Sequence, residues 1–404
     1  MLTSLAFIFL VGLSMAAICQ KLKLPRIIGM LITGIVLGPY VLDLLDPSIL
    51  SISAELRQMA LIIILLKAGL SLDLSDLKKV GRPAIMMSCV PASFEILAFF
   101  LFAPYLLGVT RIEAAVMGAV LGAVSPAVVV PRMVQLMERK YGTEKSIPQM
   151  VLAGASCDDI YVIVLFTTFV GMAQGGHVNV MDFVNIPVSI VLGVLLGAVV
   201  GYGLSLFFET AYAHKHCVRN SMKVVIVLGV SFLLMAIETW AEGVVAISGL
   251  LAVVSMACVL KLKSTAFVSK RLSEKFGKLW IAAEVILFVL VGAAVDIRYT
   301  LGAGLAAVGM IFLALVFRGI GVSICLIHTK LNWKERLFCV IAYLPKATVQ
   351  AAIGSVPLSM GLACGPIVLS VAVLAILITA PLGAIGMDVT YKRLLTREAG
   401  QEQA

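Results

Sequence analysis

Gly154-Ala155-Ser156-Cys157-Asp158-Asp159 runs directly into Ile160-Tyr161-Val162-Ile163-Val164-Leu165-Phe166. Two adjacent carboxylates therefore sit in an apolar run long enough to cross a bilayer. An ionisable group at that depth is costly and marks a pathway, a relay or a partnered site. Outward from this stretch the chain keeps the same character. Of its 404 residues, 61% are hydrophobic and 13% are charged, whereas a soluble protein carries about 25% charged residues. Mean hydropathy is +1.09. Apolar stretches of about 20 residues recur from end to end, separated by short charged loops. The pattern is that of an all-α polytopic membrane protein. No polar stretch is long enough for a separate soluble domain.

Thirteen spans are expected, near residues 1–19, 26–43, 56–71, 83–107, 112–134, 148–171, 186–208, 220–238, 243–260, 277–295, 300–328, 334–357 and 365–388. The first is read as a true span because it lacks a basic leader and Gln20-Lys21-Leu22-Lys23 follows at once; a cleaved signal peptide is the alternative. The net charge of +9 does not point to nucleic acid, because the basic residues alternate from loop to loop. Loops after odd-numbered spans carry 25 Lys and Arg, from Lys21 to Arg397, and the opposite loops carry only Arg111 and Arg298. The positive-inside rule places the N-terminus outside and the C-terminus in the cytoplasm. The eight cysteines form no CxxC or Cys/His cluster and read as small packing residues. His177, His214 and His216 form no metal-ligand pattern, and the latter two read as solvated loop residues.

A weak internal repeat is visible. Ala68-Gly69-Leu70-Ser71-Leu72-Asp73 ends span three, and Gly292-Ala293-Ala294-Val295-Asp296 ends span ten. Ser125-Pro126 falls inside span five, and Pro345-Lys346 inside span twelve. Both pairs are offset by seven spans, and an odd offset inverts the topology. Two inverted-topology repeats with crossed, broken helices are a transporter architecture, with the site near the midplane.

Four sets of residues can carry chemistry. Pro126 removes a backbone donor and clashes with the carbonyl four residues back, so span five should open near Gly122 and offer freed carbonyls and the Ser125 hydroxyl. Pro345, Lys346, Thr348 and Gln350 lie half-way along span twelve. Lys346 is suited to offset the negative helix ends, leaving Ser125, Thr348 and freed carbonyls available to a cation. Asp158 and Asp159 point about 100° apart on span six and cannot share one face. A carboxylate at that depth holds either a proton or a cation, and competition between the two is the physical basis of exchange. Finally, Glu95 and Arg318 sit at about 18 and 15 Å from the cytoplasmic ends of their spans. They are expected to form a structural ion pair, with a direct substrate role as the minor alternative. Arg57 is expected to snorkel at a span end. Lys67 either reaches Glu284 or lies at the membrane boundary. Gly193, Gly197 and Gly201 read as a close-packing ridge.

Leu24-Pro25-Arg26-Ile27-Ile28-Gly29 with Gly34-Ile35-Val36-Leu37-Gly38-Pro39 resembles the second span of the monovalent cation:proton antiporter superfamily. Gly122 to Pro131, Cys157-Asp158-Asp159 and Pro345 to Gly354 resemble its sodium/proton exchanger branch that includes the animal NHA exchangers. The resemblance implies a homodimer and a mobile core moving against a dimerisation domain in an elevator-like manner. Residues 1–82 and 220–299 would supply dimerisation helices, 83–184 and 300–390 the two core repeats, 185–219 a linker helix and 391–404 a cytoplasmic tail. It implies Asp159 as the ion- and proton-binding carboxylate with Asp158 beside it, and Glu95–Arg318 as a core ion pair. Some electrogenic relatives place a lysine in span eleven, where this chain has Arg318. An arginine stays charged and cannot serve as an alternating proton carrier.

The sequence therefore reads as a cell-membrane antiporter exchanging Na⁺ or Li⁺ for H⁺ and regulating pH. Its partners would be a second copy and membrane lipid, not nucleic acid, and its only small ligands the transported ions, with no cofactor. A potassium/proton exchanger or potassium efflux system of the same superfamily is the nearest rival. An intramembrane aspartyl protease would need its two acids on two different helices, and a sensor or scaffold role has no residue arguing for it.

Overall fold

The computed structural model describes residues 1–71, 81–174, 180–213, 219–241, 247–295 and 297–397. Readings that rest on Asp73, Lys78, Lys79, His177, His214, Lys215, His216, Cys217, Glu242 and Asp296, or on residues 398–404, lie outside that description. So do the side chains of Ser156, Asp182 and Arg298.

The described chain is helical apart from one antiparallel bridge between Tyr141 and Arg397. The first helices are α1 (Leu2–Lys21), α2 (Arg26–Leu37), α3 (Pro47–Ser51), α4 (Ser53–Ser71), α5 (Arg82–Met87) and α6 (Val90–Leu107). There follow α7 (Arg111–Gly122), α8 (Pro126–Glu138), α9 (Ile147–Gln174), α10 (Val180–Ala213), α11 (Asn220–Ala241) and α12 (Gly249–Lys263). The last are α13 (Ala266–Ala293), α14 (Ile297–Cys325), α15 (Trp333–Ala342), α16 (Thr348–Gly354), α17 (Val356–Ser359) and α18 (Gly365–Leu394). Among the described residues, nine helical stretches are long and apolar enough to cross a membrane, and Arg26–Leu37 is a shorter apolar helix. The chain is an all-helical, multi-pass membrane protein.

Prolines follow three interruptions, although Pro104, Pro131 and Pro381 lie inside helices. In an unbroken helix Pro126 would clash with the carbonyl of Gly122, where α7 ends, and Pro345 with that of Ile341, one residue before α15 ends. Pro91 would do the same to Met87, the last residue of α5. That third break, in what reads in sequence as one span over 83–107, is not foreseen by hydropathy. Span two also departs from expectation: its helix stops at Leu37, before Gly38-Pro39. The two helices that lead into the major breaks start alike. Thr110 caps α7 in a reciprocal box with Glu113, and Asn332 caps α15 in the same way with Glu335.

The chain divides into two compact units. Unit one comprises Met1–Ser51, Asp73–Val162 and Phe288–Ala404; unit two comprises Ile52–Leu72 and Ile163–Leu287. In unit one, α6 packs between α7 and α14, and α18 contacts α7, α8, α14, α15, α16 and α17. Here α2 crosses the end of α13 so closely that a Cβ on Gly34 would collide with the Val289 carbonyl. The glycines quoted above from span two thus serve backbone-to-backbone packing.

In unit two, α12 packs against α10, α11 and α4. Gly193, Gly197 and Gly201 on α10 lie against the backbones of Ser248, the N-cap of α12, and of Ala252 and Met256, each about one turn further along α12. Lys67 lies over the Trp280 ring at 5.8 Å, with Glu284 among the charges around it. Arg57 does not snorkel: it is buried, and its Nε and Nη1 have no hydrogen-bond partner. Its position at a span end does not expose it, because protein rather than water covers the guanidinium.

Candidate functional site

The first break occupies residues 123–125 between α7 and α8, and the second residues 343–347 between α15 and α16. The breaks meet inside unit one. The Ser125 N–H donates to the Pro345 carbonyl at 2.8 Å. Gln350 Nε2 donates to the Ala123 carbonyl at 2.7 Å, and Gln350 Oε1 accepts from the Ala347 N–H at 2.7 Å. One side chain thereby ties both breaks. The Lys346 N–H donates to Thr379 Oγ1 on α18 at 2.9 Å.

A helix end within a membrane has unpaired backbone groups and a partial charge, so it needs a partner of opposite sign. At the carboxyl end of α7, Arg318 Nη1 donates to the Gly122 carbonyl. Lys346 Nζ donates to the Leu121 carbonyl at 2.5 Å and the Ala123 carbonyl at 3.4 Å. Beyond α15, Arg318 Nε donates to the Tyr343 carbonyl at 2.6 Å. At the amino end of α8, the Val124 N–H donates to Asp158 Oδ2 at 2.8 Å. One expectation is corrected here. The carbonyls freed by Pro126 are not open to a cation, because Arg318, Lys346 and Gln350 already hold them. Protein cations bind there because the helix end is negative.

The same cations join the acids into one cluster. Glu95 Oε2 on α6 receives Arg318 Nη1 at 2.7 Å and Lys346 Nζ at 2.5 Å. Arg318 Nη2 meets Asp158 Oδ2 at 3.1 Å. Glu95, Asp158, Arg318 and Lys346 are each no more than 1% exposed. Two anions and two cations cancel at their formal charges.

Asp159 stands outside this balance. It is 7% exposed against 0% for Asp158. Its Oδ1 has no hydrogen-bond partner; the same is true of Asp158 Oδ1 and Ser125 Oγ. Thr348 opens α16 and is buried. Among the described residues, no hydrogen bond ties the side chain of Asp159 or Thr348 to the cluster. Among the described residues there is also no group of three or more His, Cys, Asp or Glu placed to hold a metal. Asp159 is thus a buried carboxylate for which, among the described residues, no ion pair is formed.

Sequence reasoning paired Glu95 with Arg318 by depth, and the structure places them in contact. It left open whether Arg318 pairs with Asp158, a contact the structure makes, and it missed that Lys346 shares the Glu95 carboxylate and that Tyr343 is part of the site. The signal for Lys346 was available: it and Glu95 both lie at about 18 Å from the cytoplasmic ends of their spans. Tyr343 has no such signal, because an aromatic residue in an apolar span is ordinary.

A family described as "Sodium/hydrogen exchanger, transmembrane" matches residues 5–390. The human protein named sodium/hydrogen exchanger 9B2 is 35% identical over 397 residues, covering 94% of this chain and 71% of its own length. Mouse sodium/hydrogen exchanger 9B2 is 32% identical over 389 residues, covering 93% and 69%. Human sodium/hydrogen exchanger 9B1 is 31% identical over 390 residues, covering 93% and 73%. Among solved structures, the sodium proton antiporter MjNhaP1 from Methanocaldococcus jannaschii superposes with a TM-score of 0.80 at 21% identity, covering 97% of this chain and 98% of that one. That likeness is one of fold. By the span of the family match and the identity to its relatives, this chain belongs to the sodium/hydrogen exchanger family, and it is a membrane antiporter rather than an enzyme.

Proposed function

We propose that the protein exchanges Na⁺ or Li⁺ for H⁺ by alternating access, with cation and proton competing for Asp159. One observation carries this reading. Glu95, Asp158, Arg318 and Lys346 balance one another, and Asp159 is the surplus carboxylate. A buried carboxylate without a partner takes whatever positive species reaches it. Asp158 retains one unpaired oxygen, Oδ1, and Ser125 an unpaired hydroxyl, and these suit the remaining coordination of a small hard cation. Thr348 belongs to the same set by its place at the second break. Glu95 with Arg318, and Pro126, Pro345, Lys346 and Gln350, hold the crossing in shape.

The same reading covers the architecture. Thirteen spans arise when the nine long stretches are joined by α2, α4, α12 and the broken pair α15–α16. Residues 83–184 and 300–390 are the two inverted core repeats. The matching caps at Thr110 and Asn332, each opening a helix that breaks near mid-membrane, favour that assignment. Residues 1–82 and 220–299 form the dimerisation helices of a homodimer, joined by the linker 185–219. The N-terminus lies outside the cell membrane and the C-terminus, with tail 391–404, in the cytoplasm, as the basic loops require.

The test is cation-driven dissipation of a pH gradient in proteoliposomes, run with Na⁺, Li⁺ and K⁺. Na⁺ and Li⁺ should dissipate the gradient, and Asp159→Asn should abolish exchange while leaving the folded protein intact. Normal sodium-dependent exchange in Asp159→Asn would sink the assignment. A response to K⁺ alone would favour the potassium exchanger.

A further inference from the structure

Tyr343 lies in the second break, and nothing described so far gives its hydroxyl a task. Every other part of the residue is engaged. Its carbonyl accepts from Arg318 Nε at 2.6 Å. Its ring lies beneath the Arg318 guanidinium, 5.5 Å from ring centroid to guanidinium carbon. Its side chain is fully buried. Yet Oη has no hydrogen-bond partner in the protein. A buried hydroxyl left unpaired costs about 1–3 kcal/mol, and phenylalanine would fill the same space without that cost.

The direction of the hydroxyl is informative. It stands against Gly154 on α9, so close that no side chain fits at that position. Gly154 lies one turn before Asp158, and helical side chains lean back over the preceding turn. Asp158 Oδ1, one turn further along α9, is likewise buried without a partner. Asp158 is also among the charges acting on the Tyr343 hydroxyl. Two buried, unpaired polar atoms, a phenol oxygen and a carboxylate oxygen, thus belong to the side of α9 that carries Gly154 and Asp158, where Tyr343 Oη and Met87 Cβ fill the place of a Gly154 side chain.

We propose that Tyr343 is a further working residue of exchange: its hydroxyl and Asp158 Oδ1 hold the water through which the Asp158–Asp159 pair is reached from the Gly154 side. The hydroxyl acts through that water and through Asp158, so Tyr343 is a positioning residue and not itself a carrier of the cation. Gly154 serves the same end by leaving room for it. This inference rests on the reading of Asp159 as the exchange site.

The test is Tyr343→Phe, which keeps the ring under Arg318 and the carbonyl bond and removes only the hydroxyl. Purified protein would be measured for thermal unfolding in detergent, and in proteoliposomes for maximal exchange rate and half-saturating Na⁺ concentration. The expected result is unfolding at the same or a higher temperature, with a maximal rate lower by about tenfold, the worth of one ordinary hydrogen bond, and half-saturation unchanged. An unchanged rate in an equally stable protein would show the hydroxyl idle and overturn the proposal. A rate that falls only in proportion to a loss of folded protein would make the hydroxyl structural and overturn it equally. Asp159→Asn run in parallel separates the two readings. If that variant still exchanges, the Asp159 assignment fails. If it is inactive while Tyr343→Phe is unaffected, only the role of Tyr343 fails.

Discussion

Replacing Glu95 by glutamine removes one charge and leaves the side chain's shape. In the native cluster the Glu95 carboxylate faces two cations at 2.5 and 2.7 Å. At an effective dielectric of about 20, each contact is worth roughly 6 kcal/mol of Coulomb attraction before desolvation is subtracted. Desolvating Arg318 and Lys346 cancels most of that gain, but the cancellation depends on the carboxylate being present. Without it, two buried cations face only Asp158, and one positive charge is uncompensated. Glu95→Gln should therefore cost about 3–5 kcal/mol, the range for breaking a buried ion pair from one side. Lys346→Met in the same chain removes the surplus charge. The double variant should recover to within about 1–2 kcal/mol of the parent, the residue being the uncapped Leu121 carbonyl. The measurement is thermal unfolding of the purified parent, both single variants and the double in one detergent. If the double loses as much stability as the two singles summed, the charges are not coupled and the balance argument fails. Unchanged stability for both Glu95→Gln and Arg318→Ala would refute a structural role for the pair.

Two smaller perturbations probe the scaffold. Gln350→Ala removes the link between the breaks and leaves the Ala347 N–H and Ala123 carbonyl without that partner; it should cost roughly 2–4 kcal/mol, read as a lower unfolding temperature. Gly197→Ala pushes a methyl group into the Ala252 backbone on α12 and should cost about 1–3 kcal/mol through overpacking, whereas Gly203→Ala, whose Cβ meets open space inside the same helix, should stabilise by about 0.5–1 kcal/mol in the same assay.

Much of the architecture is readable from sequence because a bilayer admits few solutions. Hydropathy finds the nine long apolar stretches of the described residues, and prolines with polar neighbours find the breaks at Pro126 and Pro345. The break before Pro91 went unread because no polar residue of comparable weight marks it; only the steric clash with Met87 does. Within the site, depth along a span is a one-dimensional coordinate, and it matched Glu95 to Arg318. Whether Lys346 turns to the same carboxylate, or Arg318 spans both acids, depends on how each helix is rotated about its axis. Spacing within one helix fixes relative angles, as for Asp158 and Asp159, but not which neighbour a face meets. The freed carbonyls illustrate the same limit: their presence follows from Pro126, and their occupants only from packing.

The neutrality of the four-residue cluster bears on how the membrane voltage acts on transport. A potential of 100 mV does about 2.3 kcal/mol of work on each elementary charge that crosses it. Glu95, Asp158, Arg318 and Lys346 carry no net charge, so their displacement across the field, in the alternating-access reading proposed above, costs nothing electrically. The field then acts only on Asp159 and its passenger. On that reading Asp159 would be neutral with a bound Na⁺ and neutral with a bound proton, so both crossing forms would be invisible to the voltage. A one-for-one exchange built this way runs on the two ion gradients alone, and clamping the potential in proteoliposomes should leave its rate unmoved.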